Sequence, residues 1–408
     1  MRARRYLIWM LATALLLILS AGAFNLVIDP YGVFNLVAIE GVNAKKAYAY
    51  THKRLAKERR ALRLQPNTVL LGNSRIDVGF NPQSPAWPAE MQPVANIGIP
   101  GEGMDGIVRA YSLAVRKMQP NAIVVGLDFF DFLSASPPAP GERLSRQDSY
   151  DGELLPHLPE TVFSTTATID SLLTIKAQRE RDSTAMTAAG FNPMQNYKAI
   201  VRREGQWPMV LEKDKLHVRY LETRPAAFLQ PNGVPAAPLV YLRDILEDAA
   251  RRDLRVEVVL YPFHAHFLET LHLSGRWALF EAWKREVLSV WLSVKNSAPG
   301  WPSTLWDFSV YDPLTTEAAP LPDHKDRRMD WYWEAGHFKA ELGDKMIAQM
   351  TGTAPNGFGV RLTAASLDAH LRRQQVARNH YESANPEAVS YLRDLCRPLG
   401  CAERTAQP

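Results

Sequence analysis

The sequence has few cysteines, no marked excess of charge of either sign, and only one long apolar run. Two cysteines in 408 residues exclude a small scaffold held together by disulfides. The 47 Lys and Arg residues nearly balance the 43 Asp and Glu residues, and Arg2, Arg4 and Arg5 account for most of the difference. A nucleic-acid-binding protein of this size normally carries a strong basic excess, so that class is excluded.

What the chain does have is the composition of a globular protein. Hydrophobic residues make up 46% of it and charged residues 22%, which excludes a disordered or collagen-like chain. A length of 408 residues allows either one large domain with insertions or two domains. The pattern of elements described below favours one α/β domain with additions.

The single long apolar run covers residues 6–28 and contains no charged side chain. As a helix it would rise about 34 Å, enough to cross a hydrocarbon core of about 30 Å. The arginines before it predict that residues 1–5 stay cytoplasmic and that the bulk of the chain lies in the periplasm or another extracytoplasmic space. We expect a single-pass anchor in the cytoplasmic membrane. Ala21-Gly22-Ala23 keeps a cleaved signal peptide as the alternative.

Residues 29–65 are predicted to begin with a turn at Asp29-Pro30-Tyr31-Gly32 and to continue as a basic helix over 44–63. Eight Lys or Arg residues in this helix stand against a single acid, Glu58. We interpret the segment as a solvated stalk near lipid headgroups. The alternative is a surface that binds an anionic glycan.

Four short apolar runs, rich in β-branched residues, predict parallel strands that are buried on both faces. They cover residues 68–73, 94–99, 122–129 and 256–263. Apolar residues at helical spacing occur between them, over 104–118 and 239–250. This alternation predicts an α/β fold with a doubly wound, mostly parallel sheet. Trp306-Asp307-Phe308 is interpreted as the last strand, with Asp307 in a structural role.

Two regions break the alternation. Residues 134–235 are too long for a plain connection, so we interpret them as an insertion that caps the carboxyl edge of the sheet. Residues 353–408 are predicted to form a helical tail, with one helix over 362–381 and a second that begins at Pro386.

The two cysteines, Cys396 and Cys401, lie close together in this tail. In an oxidising compartment two neighbouring thiols predict one small disulfide. Free thiols are the alternative, and a metal site would need more ligands nearby.

The candidates for chemistry are the polar residues at the carboxyl ends of the strands, because ligands of open α/β sheets bind there. The first strand ends in Gly72-Asn73-Ser74-Arg75, which places the serine hydroxyl on a sharp turn before a helix. The second ends in NIGIPG (96–101), where Gly101 leaves a backbone N–H open as an oxyanion donor. The third ends at Asp128.

A histidine preceded by carboxylates follows late in the domain, in DWYWEAGHF (330–338). A carboxylate three residues before a histidine can orient its imidazole, and the histidine can then deprotonate a serine that the fold brings alongside. Glu334 is the expected orienting acid for His337, and Asp330 is a possible substitute.

This set of motifs resembles the SGNH (GDSL-like) hydrolase superfamily over roughly residues 66–352. It is most similar to the membrane-anchored members of the alginate O-acetylation and D-alanylation type. The resemblance implies a flavodoxin-like three-layer sandwich. It also implies Ser74 as nucleophile, His337 as base and Glu334 as its acid, with the Ser74 and Gly101 amides forming the oxyanion hole.

Three positions depart from the family pattern. Asn73 stands where the family usually has Asp before the serine, and Glu334 replaces the usual Asp. Asp128 stands where an oxyanion-hole Asn is usual, and a carboxylate there would repel an oxyanion unless it were protonated or reoriented. Arg75, next to the serine, is a further candidate contributor to the site.

His264 is another candidate, in the sequence His264-Ala265-His266 after the fourth strand. Such a pair can bind zinc, but a third ligand is not evident nearby. Structural hydrogen bonding is the expected role, and a place in the substrate cleft is the alternative. We expect no metal and no cofactor.

The first functional hypothesis is a membrane-anchored serine acyltransferase or acylesterase that acts on a cell-envelope or exported polysaccharide. The resemblance implies an acyl donor supplied by a membrane-bound O-acyltransferase. The alternative, motivated by Asp128 and Glu334, is a non-catalytic glycan-binding or scaffold protein of a polysaccharide-modification complex. A lipase or thioesterase acting on membrane lipid is a third class, for which the sequence gives no apolar groove.

Overall fold

The computed structural model describes residues 2–138, 154–180 and 185–397. The strands, in chain order, are β1 (Thr68–Leu71), β2 (Val94–Asn96), β3 (Ala122–Leu127), β4 (Arg255–Leu260), β5 (Ser303–Asp307), β6 (Tyr332–Glu334), β7 (His337–Phe338) and β8 (Val360–Arg361). The helices are α1 (Arg2–Ile28), α2 (Lys53–Leu64), α3 (Ser74–Gly79), α4 (Met104–Leu113), α5 (Phe129–Phe132), α6 (Leu158–Thr161), α7 (Thr165–Ala177), α8 (Gln195–Glu204), α9 (Trp207–Thr223), α10 (Ala237–Arg251), α11 (Ala265–Leu273), α12 (Trp277–Ser297), α13 (Ala340–Thr351), α14 (Leu367–Ala384) and α15 (Pro386–Cys396).

The main sheet has the strand order β2-β1-β3-β4-β5-β8. All neighbours pair in parallel except β8, which runs antiparallel to β5. The prediction of an α/β fold with a mostly parallel sheet is confirmed. The strand order reverses between β1 and β3, and at such a point the loops that leave the two carboxyl ends diverge and open a crevice.

Alternate residues of each strand pack into two separate cores, one on each face of the sheet. Val69 and Ile123 face a core built with α4, α10 and α12. Leu70 and Val124 face a second core built with α3 and α13. Because the strands are buried on both faces, they appear in the sequence as continuous apolar runs.

One helix in the described part of the chain, α1, is long and apolar enough to cross a membrane. Its residues 2–20 are exposed, as expected of a segment whose solvent is lipid. A signal sequence passes the same length and composition test, so the cleaved form stays the alternative.

The segment 29–65 differs from the expected solvated stalk. Its helix begins only at Lys53, and several of its cations are buried. The Lys57 ammonium lies 2.5 Å from an Asp77 carboxylate oxygen and also donates to the Gly98 carbonyl at 2.7 Å. The Arg60 guanidinium donates to the Met186 and Thr187 carbonyls at 2.9 and 2.6 Å. The expectation of a solvated helix is therefore wrong for these residues, because buried partners compensate the charges.

The two irregular regions are largely helical where they are described. Helices α6 to α9 lie in the interval 134–235, of which residues 139–153 and 181–184 are outside the described residues. In the tail, the two predicted helices are present as α14 and α15. The tail also adds β8 to the sheet, and His370 from α14 donates a buried 2.8 Å hydrogen bond to the Asp307 carboxylate. Asp307 thus has the structural role expected of it.

The predicted disulfide falls partly outside the described residues. Cys396 is buried at the end of α15 and is disulfide-bonded. Its predicted partner, Cys401, lies outside the described residues, so the pairing stays a prediction.

Replacing Lys57 with Met should lower the free energy of unfolding by about 3 kcal/mol or more, because Asp77 would stay buried without its cation. Urea unfolding of the full chain in detergent, followed by circular dichroism, measures this. Lys215→Met is the control, since Lys215 pairs with Glu212 at the surface, and it should cost less than about 1 kcal/mol. Equal stability of the two variants would contradict the assignment.

Candidate active site

The loop after β1 presents Ser74 at the crevice between β1 and β3. Ser74 is the first residue of α3, and Asn73 caps this helix by accepting a 3.0 Å hydrogen bond from the Arg75 amide. Gly72 permits the tight approach of the loop to the sheet, because a Cβ at this position would lie 2.3 Å from the Tyr261 hydroxyl. Ser74 itself remains half-buried, so its hydroxyl is accessible.

Glu334 and His337 lie on a small antiparallel hairpin of β6 and β7, which the sequence did not predict. Two side chains hold its first strand. The Glu317 carboxylate accepts 2.9 Å hydrogen bonds from the Trp331 and Tyr332 amides. The Gln206 amide donates to the carbonyl of Tyr332 at 2.8 Å. The hairpin is therefore fixed by buried polar contacts to its backbone.

The structure brings Ser74, His337 and Glu334 together in the predicted order. The Ser74 hydroxyl lies 2.8 Å from Nε2 of His337. Nδ1 of His337 is hydrogen-bonded to Oε1 of Glu334. The other carboxylate oxygen, Oε2, accepts from the amides of Gly336 at 2.6 Å and His337 at 3.2 Å. Glu334 thus orients the imidazole and closes the turn that carries it.

Burial and the nearby charges together favour an ionised acid and a neutral imidazole. Burial alone would raise the pKa of Glu334. Lys213, His337 and the hydrogen bonds to the carboxylate outweigh burial and hold that pKa well below its usual range. The Lys213 ammonium lies 3.5 Å from Oε1. Burial lowers the pKa of His337, with Lys213 acting in the same direction and Glu334 against it. A neutral imidazole can accept the proton of the serine.

The predicted oxyanion donors lie on adjacent loops. The loop after β2 runs beside the Ser74 loop, where the Ile99 amide donates to the Gly72 carbonyl at 3.0 Å. Gly101 follows with a left-handed φ of +83° and open space around its Cα. The Lys53 ammonium fixes this loop by donating to the Pro100 carbonyl at 2.9 Å.

Asp128 is not an isolated carboxylate facing the site. It forms an ion pair with Arg75, and it accepts a 2.9 Å hydrogen bond from the Asn73 side-chain amide. Its other oxygen caps α5 by accepting from the Phe130 amide at 3.0 Å. The Arg75 cation thus offsets the repulsion of an oxyanion expected from Asp128.

The surroundings of Asn73 favour an amide over a carboxylate at this position. Its amide nitrogen donates to both Asp128 and Asp131, at 2.9 and 3.0 Å. Burial and the neighbouring Asp128 raise the pKa of Asp131 well above its usual value. A third carboxylate at position 73 would add repulsion, which an amide avoids.

Two other predicted contributors are used elsewhere. Asp330 is exposed and does not hold His337, since Glu334 does so. His264 caps α11 through Nδ1, which accepts from the His266 amide at 3.2 Å, and its Nε2 lies 2.9 Å from the Glu317 carbonyl oxygen. His264 thus has the structural role expected of it.

Lys213 and His217 reach the triad from α9, which the sequence did not predict. A Cβ on Gly336 would lie 3.0 Å from Nε2 of His217 and from Cδ of Lys213, so the glycine lets α9 pack against the turn between β6 and β7. A sequence signal for this contact is absent, because α9 belongs to the irregular interval and lies far along the chain from Glu334.

A cavity of about 450 Å³ reaches the triad through Glu334. Its lining combines apolar side chains, among them Ile200 and Met209, with the charged side chains of Lys213 and Arg219. Within the described residues there is no group of three or more His, Cys, Asp or Glu side chains that could hold a metal ion.

Comparison with protein-family models, with curated proteins and with solved structures returns no match to this chain. The function of the site is therefore inferred from the geometry of its residues.

The Arg75–Asp128 pair can be tested by double substitution. Arg75→Met should lower the free energy of unfolding by about 3 kcal/mol, because Asp128 loses its cation in a buried position. Adding Asp128→Asn to that variant should restore part of the loss, since the charge needing a partner is gone. Thermal unfolding of the full chain measures the stability of these two variants and of Asp128→Asn alone. A double variant whose loss of stability equals the sum of the two single losses would contradict the pairing.

Proposed function

We propose that the protein is a membrane-anchored serine acylesterase or acyltransferase of the SGNH type. The observation that carries the proposal is the contact of 2.8 Å between the Ser74 hydroxyl and His337 Nε2, with His337 Nδ1 bonded to Glu334. This arrangement has the nucleophile, base and orienting acid of a serine triad.

In the first half-reaction, Ser74 Oγ attacks the carbonyl carbon of an O-acyl donor while His337 Nε2 takes the hydroxyl proton. The resulting imidazolium is stabilised by the ionised Glu334. The tetrahedral intermediate collapses as His337 returns the proton to the leaving alcohol oxygen. The products are an acyl ester on Ser74 and the free alcohol.

In the second half-reaction, a water molecule or a sugar hydroxyl attacks the ester on Ser74. His337 accepts the proton of the attacking oxygen and then gives it to Ser74 Oγ as that oxygen leaves. Water as acceptor gives a free acid, and a sugar hydroxyl gives an acylated glycan.

The oxyanion of each intermediate would be held by the Ser74 and Gly101 amides. The fixed position of the Gly101 loop beside Gly72 supports this assignment. The Arg75–Asp128 ion pair supports it as well, since it neutralises the carboxylate of Asp128. Backbone donors that are fixed in advance stabilise such charge without reorganisation.

The location and the substrate are part of the same proposal. The apolar helix α1 supports anchoring in the cytoplasmic membrane, with the bulk of the chain on the extracytoplasmic side. A cell-envelope or exported polysaccharide as acceptor, and a donor supplied by a membrane-bound O-acyltransferase, rest on the resemblance of the sequence motifs.

The serine chemistry is tested with the purified full chain and p-nitrophenyl acetate. Ser74→Ala should lower the catalysed rate by at least about 10³-fold, because the nucleophile is lost. Ser383→Ala, at an exposed position of α14, is the matched control and should keep the wild-type rate. A fluorophosphonate probe should label wild type and fail to label His337→Ala. A Ser74→Ala variant as active as wild type would contradict the proposed mechanism.

The pH profile tests the role of Lys213. Because burial and Lys213 lower the pKa of His337, the acidic limb of kcat/KM should lie below the ordinary histidine value of about 6.5. Lys213→Met removes a charge that disfavours the imidazolium, so this limb should move to higher pH. Lys215→Met, on the same helix and paired with Glu212, should leave it unchanged. An unchanged or lower limb in Lys213→Met would refute the assignment.

A further inference from the structure

Helix α7 buries several polar side chains and exposes its large apolar ones. Asp170 and Ser171 are buried. Ile169 and Leu172 are each 57% exposed, and Leu173 is 38% exposed. A helix of a water-soluble domain shows the opposite arrangement, because its apolar face turns to the core.

Three polar side chains of α7 form hydrogen bonds with α1 and the turn that follows it. The Tyr31 hydroxyl donates to Asp170 at 2.8 Å, and the Ser171 hydroxyl donates to Asn25 Oδ1 at 3.0 Å. The Asn25 amide nitrogen donates in turn to Thr168 Oγ1 at 2.9 Å. Hydrogen bonds therefore fix α7 against α1, and its apolar face is left pointing outward.

The contact between the helices lies at the far end of the apolar run. A Cβ on Gly22 would lie 2.6 Å from the Phe163 ring, so the chain before α7 packs closely on α1 at this level. About 20 helical residues cross the hydrocarbon core, and counting from Tyr6 these end near Asn25. The outward face of α7 thus lies at the depth of the leaflet from which α1 emerges.

Further exposed apolar side chains surround the same end of α1. The segment with Leu36, Val37 and Ile39 is tied to it by Asn43, whose amide donates to the carbonyls of Val27 at 2.7 Å and Val37 at 3.2 Å. We call the exposed apolar side chains of these two segments the apolar collar: Leu36, Val37, Ile39, Phe163, Ile169, Leu172 and Leu173. Within the described ranges, the exposed large hydrophobic residues outside α1 and this collar are Leu155, Val234 and Val376.

We propose that the apolar collar inserts among the lipid acyl chains of the leaflet from which α1 emerges, with α7 as an interfacial helix. The proposal rests on the anchoring part of the proposed function and is independent of the serine chemistry. Continuity with α1 identifies lipid as the occupant, because the collar surrounds the end of the one candidate span in the described chain. Lys176 and Arg179, exposed at the end of α7, are placed to meet lipid phosphates.

Fluorescence quenching by lipid tests the collar in the full chain. An NBD label is attached to Leu172→Cys or Ile169→Cys, and the protein is reconstituted in phosphatidylethanolamine–phosphatidylglycerol vesicles with or without nitroxide-labelled acyl chains. Val376→Cys, 69% exposed on α14, is the matched control, and Leu15→Cys reports insertion of α1. Wild type taken through the same labelling gives the background from the native cysteines.

The labels at positions 169 and 172 should be blue-shifted and quenched by the nitroxide lipids nearly as strongly as the label at 15. The label at position 376 should be neither blue-shifted nor quenched. Labels at 169 and 172 that behave like the one at 376 would overturn the collar while leaving the anchor intact. A blue shift without quenching would overturn it in favour of a second protein surface. An unquenched label at 15 would overturn both the anchor and the collar, with the Ser74→Ala assay unaffected.

Discussion

The buried carboxylate of Glu334 is the group on which the geometry of the site depends. One oxygen orients His337 and faces the Lys213 ammonium, and the other closes the turn between β6 and β7. A buried carboxylate is costly unless every lone pair finds a partner, so the turn, the imidazole and α9 stabilise one another. The contact between Ser74 and His337, which are 263 positions apart in the chain, is a consequence of this arrangement.

Ion pairs also fix the loop and the helix that carry Ser74. Arg75 neutralises Asp128 on one side of the serine loop, and Lys57 pairs with Asp77 on α3 behind it. Both pairs are buried, and electrostatic interactions are stronger where water is excluded. The two charged residues of α3, Arg75 and Asp77, are therefore both held in fixed ion pairs. Asn73 and Asp128 belong to the same set of contacts.

The sequence identified the five parallel strands, and Ser74, Glu334 and His337 as candidates for the site, because these signals are local. Continuous apolar runs mark strands buried on two faces, and the polar residues that follow them must meet at one edge of the sheet. The sequence could not identify Lys213 or the partners of Lys57, because those contacts join distant segments and leave no periodic pattern. The basic segment before β1 was misjudged for the same reason: a lysine that is solvated and one that is paired in the interior look identical in a sequence.

Buried contacts also connect the apolar helix α1 to the site. Asn25 of α1 bonds to α7, and α7 bonds through Asp170 to Tyr31, whose ring packs 4.4 Å from His52 at the start of α2. From α2, Lys57 holds the loop that leads to Gly101. The segment between α1 and β1 is thus packed against the domain and is not a flexible tether. Under the proposed anchoring, these contacts would hold the crevice at Ser74 at a fixed height above the bilayer.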